Sequence, residues 1–149
     1  MIKLRFRTQL VISQKYDLIP IKMIRLLADV KFLKEDGTFT ERFEAVVDTG
    51  APVSVLPKFL WQTLKRETLT ENANISGIND KPECQLPVNI GTITGIIVDE
   101  DHNNTFPLTF LTYLMKSNKT ILILGFADIL EAVELHVDYQ KNHANITQK

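Results

Sequence analysis

Short apolar segments at strand spacing, separated by turn residues, run through most of the chain and restrict its fold more than any other feature. Residues 2–7 alternate between apolar and charged side chains, as in a strand with one buried face. Residues 19–33 are rich in Ile, Leu and Val, which fits a strand, with a short helix in its core as the alternative. Residues 43–47 fit a strand, and the Glu-Asp-Gly-Thr stretch at 35–38 predicts a hairpin turn before it. We predict further strands at residues 85–90, 95–98, 106–114, 120–124 and 135–139, with a turn at Gly91 between the first two.

Two other segments show helical spacing. Residues 57–66 begin with a proline, which suits a first helical turn, and space their apolar residues as a helix does. Residues 127–134 are predicted to form a second short helix, whereas residues 68–81 are polar and predicted to be a turn-rich loop. The pattern therefore predicts an all-β domain, a barrel or a sandwich with one or two short helices, and not a set of βαβ units.

The size and composition of the chain indicate one globular domain. Its 149 residues are 44% hydrophobic and 23% charged. A domain of this length can bury enough apolar surface to form a stable core without disulfides or bound metal ions. We expect the domain to span residues 1–149, with residues 1–18 as an N-terminal strand or extension and the polar tail 140–149 frayed.

The residues that could hold a metal or form a disulfide are few. Cys84 is the only cysteine, so an intrachain disulfide and a cysteine-based zinc site are excluded. The three histidines lack the paired spacing of a metal site; they are His102, His136 and His143. We predict neither a metal nor an organic cofactor.

Charge is balanced overall but unevenly distributed. The net charge of −1 argues against a nucleic-acid partner, which would require a basic excess. Residues 1–34 carry eight basic and two acidic side chains, a net +6, and the rest of the chain carries nine basic and sixteen acidic ones, a net −7. This asymmetry fits either a partner with an acidic surface or, more simply, the solvated face of an edge strand.

The sequence also bears on location. It has no apolar run of the 18 or so residues that a membrane span needs, and residues 1–12 lack the unbroken apolar stretch of a secretory signal. We therefore expect no membrane partner and a reducing, cytoplasmic setting. The four Asn-X-Ser/Thr motifs fit loop composition; they begin at Asn74, Asn103, Asn118 and Asn145.

One carboxylate stands out from this background. Asp48 directly follows an apolar strand and is followed by Thr49, Gly50 and Ala51. A carboxylate in such apolar surroundings is costly to bury unless it is hydrogen-bonded or has a chemical task. Gly50 permits a tight turn that points N–H groups at the carboxylate, and the Thr49 hydroxyl can hold the loop. On its own, Asp-Thr-Gly is a weak signal.

Together with its flanks, the segment resembles the retropepsin-like aspartic peptidases, and cellular or bacterial members more than viral ones. Residues 46–56 match the family's apolar strand, Asp-Thr-Gly-Ala and second apolar strand. Residues 121–125 resemble its second element, an apolar strand ending in a glycine, here Gly125, before a short helix that Asp128 is expected to cap or orient. The loop at 75–79 falls where the family has its flap; its residues include Ser76, Gly77 and Ile78.

The resemblance covers about residues 19–139 and has two departures. Pro52 follows Ala51 where viral members usually carry an acidic residue. Phe126 and Ala127 stand where viral members place a basic residue, so the associated salt bridge is expected to be absent.

The resemblance implies a closed acid-protease barrel and the hydrolysis of peptide bonds in a peptide or protein substrate. The chain has one Asp-Thr-Gly, so a homodimer would have to bring two copies of Asp48 together around a water. In that dimer Thr49 would bond reciprocally across the interface, Gly50 would lie against the substrate backbone, and Gly77 would let the flap close. The alternative is a catalytically inactive dimerisation or peptide-binding module of the same fold.

Overall fold

The computed structural model describes residues 1–15, 19–76 and 85–149, and most of them lie in β-strands. A four-residue helix, α1 (Lys58–Trp61), and a 3₁₀ turn at Leu130–Ala132 are the helical elements within these ranges. The predicted β-rich class is therefore confirmed. In chain order the strands are β1 (Ile2–Lys3), β2 (Arg5–Ile12), β3 (Pro20–Phe32), β4 (Phe43–Val47), β5 (Ser54–Leu56), β6 (Arg66–Ile75), β7 (Leu86–Val98), β8 (Leu108–Met115), β9 (Ile123–Leu124), β10 (Val133–Asp138) and β11 (His143–Gln148).

The larger of two sheets closes on itself. Its strand order is β2-β3-β4-β9-β5-β8-β7-β6, and a further pairing joins β3 to β7. Six strands, from β3 through β4, β9, β5 and β8 to β7, are thus linked in a hydrogen-bonded ring. The pairs β4–β9 and β5–β8 are parallel, and the other pairs in this sheet are antiparallel. The second sheet has three strands in the order β1-β11-β10.

Alternate side chains along the strands point into the ring and form the core. Along β3, Ala28, Val30 and Phe32 are buried, while the residues between them are more exposed. Phe32 packs against Phe110 of β8, with ring centroids 6.4 Å apart. The helix α1 adds Trp61, whose indole N–H donates to the carbonyl of Met115 at 2.8 Å.

Helix α1 is shorter than the helix predicted over residues 57–66. The chain leaves the helix after Trp61 because Leu64 enters the core and bridges to Lys34, and Arg66 then starts β6. The predicted turn at 35–38 is confirmed: Lys34 N donates to the carbonyl of Thr38 at 2.8 Å, and Gly37 has φ +84°.

The predictions for residues 66–98 were partly wrong. The segment predicted as a loop over 68–81 contains β6, whose polar side chains are exposed while its backbone pairs with β7. The turn predicted at Gly91 is absent from β7, which runs unbroken from Leu86 to Val98. A Cβ atom at Gly91 would lie 2.5 Å from the Glu67 carbonyl oxygen, so glycine is required there for close strand approach.

The predicted frayed tail at 140–149 was also wrong, since β11 pairs on both sides, with β1 and with β10. Ala144 and Ile146 are buried in this sheet, and Ile146 lies opposite Ile2. The helix predicted over 127–134 is reduced to the 3₁₀ turn, because β10 already begins at Val133. Within the described ranges, no helix has the length and apolar character needed to cross a bilayer.

A buried carboxylate fastens the loop after β7 to the N-terminal strand. Asp99 is 3% exposed; its Oδ2 accepts from the backbone N–H of Lys3 at 3.0 Å, and its Oδ1 accepts from those of Asp101 and Asn103. Burial alone would raise the pKa of Asp99, but the Asn103 side chain and these three backbone N–H groups outweigh it, so the pKa is lowered.

We expect Ile146→Ala to lower the free energy of unfolding by about 3 kcal/mol, because it leaves a cavity between β11 and the core. The matched control is Thr147→Ala, an exposed position on the same strand, which should change stability by less than about 0.5 kcal/mol. Urea unfolding measures both. Equal small losses would contradict the paired β11.

We expect Asp99→Asn to destabilise the fold at neutral pH by roughly 2 kcal/mol, because the new amide presents a donor to one of the backbone N–H groups. A lowered folded-state pKa stabilises the fold above the unfolded value of about 4, and this contribution is lost as the pH falls. The variant should therefore lose less stability than wild type between about pH 5 and pH 3. Glu100→Gln, which removes an exposed neighbouring carboxylate, is the control, and a variant as acid-sensitive as wild type would contradict the assignment.

Candidate active site

The loop that carries Asp48 crosses the end of a short strand. It joins β4 to β5, which are not neighbours in the sheet, because β9 lies between them. Strand β9 runs parallel to β4 and antiparallel to β5. The backbone N–H of Asp48 donates to the carbonyl of Leu124, the last residue of β9, at 3.0 Å. Asp48 is therefore fixed where β4 and β9 end together.

One oxygen of the Asp48 carboxylate is held by the backbone of its own turn. Its Oδ1 accepts from the backbone N–H of Gly50 at 2.8 Å, and Ala51 N donates to the Asp48 carbonyl at 3.2 Å to close the turn. Asp48 is half-buried, whereas Thr49 and Gly50 are exposed. A Cβ atom at Gly50 would lie 3.2 Å from Oδ1, so this position has little room for a side chain. The turn predicted from Asp-Thr-Gly thus orients one carboxylate towards the surface.

The second sequence element lies directly beneath this loop. A Cβ atom at Gly125 would lie 2.4 Å from both the carbonyl carbon and oxygen of Val53, so only glycine allows the approach. Gly125 N donates to the Ser54 hydroxyl at 3.0 Å. Residues 77 positions apart in sequence, Asp48 and Gly125, therefore belong to one structural unit.

Two residues that support the loop were not assigned this role from the sequence. Ser54 and Thr112 are both completely buried, and the Thr112 hydroxyl donates to the Ser54 carbonyl at 3.1 Å. The sequence contained a signal for Ser54, because its hydroxyl lies between Val53 and Val55 in an apolar strand. A buried hydroxyl needs a hydrogen-bond partner, so its position indicated a structural contact. Nothing local marks Thr112, which reaches Ser54 only through the parallel β5–β8 pairing.

The departures from the viral pattern are joined to the loop by backbone hydrogen bonds. Phe126 N donates to the carbonyl of Ala51 at 2.9 Å, and Ala127 N donates to that of Pro52 at 3.0 Å. These bonds connect the two residues after Gly125 to the Asp48 loop through backbone groups alone.

Asp128 was expected to cap or orient a short helix, and of these two roles capping is not observed. Its backbone is left-handed, with φ +64°, and its Oδ2 accepts from the backbone N–H of Leu111 at 2.8 Å. The 3₁₀ turn is preceded by Ile129 and receives no side-chain capping bond. Asp128 therefore ties the turn after Gly125 to the strand β8.

The predicted flap residues are only partly described. Gly77 and Ile78 lie outside the described residues, and Ser76 is exposed directly after β6. Strands β6 and β7 pair as far as Ile75 and Leu86, on either side of that segment.

The described residues contain no group of three or more His, Cys, Asp or Glu side chains placed to hold a metal ion. No family model matches the sequence, and neither does any curated protein. The Asp-Thr-Gly turn holds one carboxylate, that of Asp48, and a single carboxylate cannot serve as acid and base at once in the same step.

Gly125→Ala is expected to lower the free energy of unfolding by about 3 kcal/mol, because the added methyl group overlaps the Val53 backbone. The control is Gly37→Ala, where φ is +84° but no atom lies within 4 Å, so backbone strain of about 1 kcal/mol is the whole effect. Denaturant unfolding of both variants tests this difference. Similar losses would mean that the close approach at Gly125 does not restrict the site.

Proposed function

We propose that this protein is a retropepsin-like aspartic endopeptidase, which hydrolyses peptide bonds in peptide or protein substrates at a site shared by two copies of the chain. The observation that carries the proposal is the placement of Asp48. Its carboxylate is held by the Gly50 N–H in a surface turn, and Gly125 packs beneath that turn. The resemblance noted in the sequence connected these same two elements.

The fold supports the proposal in a second way. The hydrogen-bonded ring of six strands is compatible with a closed acid-protease barrel, and the insertion of β9 between β4 and β5 presents the Asp48 loop at one end of it. The loop is fixed by backbone and hydroxyl hydrogen bonds, so the carboxylate is preorganised before substrate arrives.

A two-fold homodimer supplies the second carboxylate. In such an assembly the same patch is used by both subunits, and with the Asp48 loop at the two-fold axis Asp48 of one chain faces Asp48 of the other. The exposed Thr49 hydroxyls are the groups next to this axis that can bond across it.

The chemistry follows from two carboxyl groups at close range. At about 3 Å they cannot both ionise cheaply, so the pair shares one proton. The ionised carboxylate removes a proton from a bridging water, which attacks the substrate carbonyl carbon, and the protonated carboxyl donates its proton to the carbonyl oxygen. The tetrahedral intermediate then collapses with proton transfer to the leaving amine. The Gly50 N–H holds Oδ1 during these steps.

Asp48→Asn tests this function directly. We expect it to lower kcat/KM by about 1000-fold on a diverse peptide mixture, because the amide can neither accept the water proton nor deliver one. Cleavage is followed by mass spectrometry between about pH 4 and pH 7, where a shared proton gives activity on an intermediate pH range. Glu134→Gln, which removes an exposed carboxylate on β10, should leave cleavage unchanged.

The Asp48→Asn protein should keep its fold and its molar mass in solution, because the Gly50 N–H can still donate to the amide oxygen. Undiminished cleavage by this variant would remove Asp48 from the chemistry. A dimeric wild-type protein that cuts no peptide in the mixture would instead be an inactive dimerisation or peptide-binding module.

A further inference from the structure

One part of the large sheet extends beyond the core with apolar side chains exposed. We define the arm as residues 7–12 of β2 together with residues 20–25 of β3, which pair with each other in antiparallel register. Leu10 and Ile12 are 63% and 62% exposed. Other large apolar side chains in or next to the arm are also at least 39% exposed: Val11, Ile19, Ile21, Met23 and Ile24.

The arm is a two-stranded ribbon without other strand neighbours among the described residues. Strand β3 begins to pair with β4 only at Leu27 and with β7 only at Asp29. An isolated two-stranded ribbon is only marginally stable in water. Apolar residues on both of its faces are therefore expected to be covered by something outside this chain's own core.

The base of the arm is firmly attached. Phe6 packs edge-on against Tyr139 of the smaller sheet, with ring centroids 5.2 Å apart, and the Thr8 hydroxyl lies 3.0 Å from the Tyr139 hydroxyl. The Lys22 ammonium lies 4.4 Å from the centre of the same ring. Lys22 lies opposite Leu10, so the ribbon continues beyond this anchor for two residue pairs, Val11–Ile21 and Ile12–Pro20, or about 7 Å.

Charge indicates what kind of surface the arm fits. Arg7 and Arg25 lie directly opposite each other across the two strands. Arg7 pairs with Glu44, but Arg25 forms no ion pair with the residues that the structure describes. The first 34 residues carry a net +6 and the rest of the chain a net −7. The charged side chains of the arm itself are all basic, namely Arg7, Lys22 and Arg25. The arm of one copy is therefore complementary in charge to the acidic remainder of another copy.

We propose that the arm packs against the body of a second copy of this chain, so that a two-fold dimer exchanges two arms. The inference rests on the proposed function, because the site formed by Asp48 is incomplete without that second copy. Exchange covers the exposed apolar faces of both arms at once and places Arg25 against an acidic surface.

Sedimentation of the full chain at micromolar concentration tests the arm. Wild type is expected at about twice its 17.0 kDa chain mass. The double variant Leu10→Ser/Ile12→Ser should raise the dimer dissociation constant about 100-fold, because it removes two apolar contacts in each arm. Phe106→Ser, at a residue 79% exposed and outside the arm, is the matched control and should leave the constant unchanged. Circular dichroism checks that the variants stay folded.

Arg25→Glu provides an independent variant that changes charge without removing apolar area. It should weaken association by about 10-fold and reduce the effect of added salt on the dissociation constant. An unaltered dissociation constant in both this variant and the double variant would overturn the arm as the dimer contact.

Parallel cleavage assays separate this inference from the proposed function. The double variant should lose cleavage when diluted and regain it at concentrations that restore the dimer, whereas Asp48→Asn should stay dimeric and inactive. Arm variants that remain dimeric and active overturn the arm and leave the shared site standing. If the arm variants dissociate but the wild-type dimer cuts nothing, the arm is supported and the peptidase is overturned. A monomeric wild type overturns both.

Discussion

The contact between Gly125 and the Val53–Ser54 backbone is the constraint on which the arrangement of the site depends, because β4, β9 and β5 meet there. Without a side chain at Gly125, the chain leaving β9 can pass against the chain entering β5 at a separation that no other residue permits. The Ser54 hydroxyl accepts the N–H of Gly125, and Thr112 secures the Ser54 carbonyl. Each of these buried groups needs its partner, so the three positions stabilise one geometry together.

Ring closure has a consequence for the edges of the sheet. The pairing of β3 with β7 covers strand edges that an open sheet would expose. Among the described residues, the strands of the larger sheet outside the ring are β2 and β6, which stand at the ends of its strand order. Strand β6 is polar throughout most of its length, and such an edge resists unwanted pairing, whereas β2 carries apolar residues. The two outer strands therefore differ in character: β6 presents a polar edge to solvent, and β2 presents an apolar one.

The parts of this architecture that sequence could predict are those with local signals. The Asp48 turn and the apolar strand before Gly125 are marked by glycines beside strand residues, and both lie where they were expected. The strands β6 and β11 were not predicted, because their polar composition matches loops and their pairing is decided by distant partners. Gly91 was taken as a turn because local sequence does not distinguish a glycine needed for a bend from one needed for strand approach. The exposure of the arm could not be predicted from the sequence either. An apolar strand has the same sequence pattern whether residues of its own chain or of another chain pack against it.

The position of β11 between β1 and β10 also determines the order in which the fold can be assembled. Ile2 pairs with Ile146, a separation of 144 residues, so β1 has no strand partner until almost all of that length has been synthesised. Contacts of such high sequence separation form slowly because a long loop must close first. The hairpin of β2 and β3, by contrast, is local and can form early. A nascent chain would thus present its basic, apolar N-terminal hairpin before its smaller sheet exists, and this hairpin is the part of the chain most open to aggregation during synthesis.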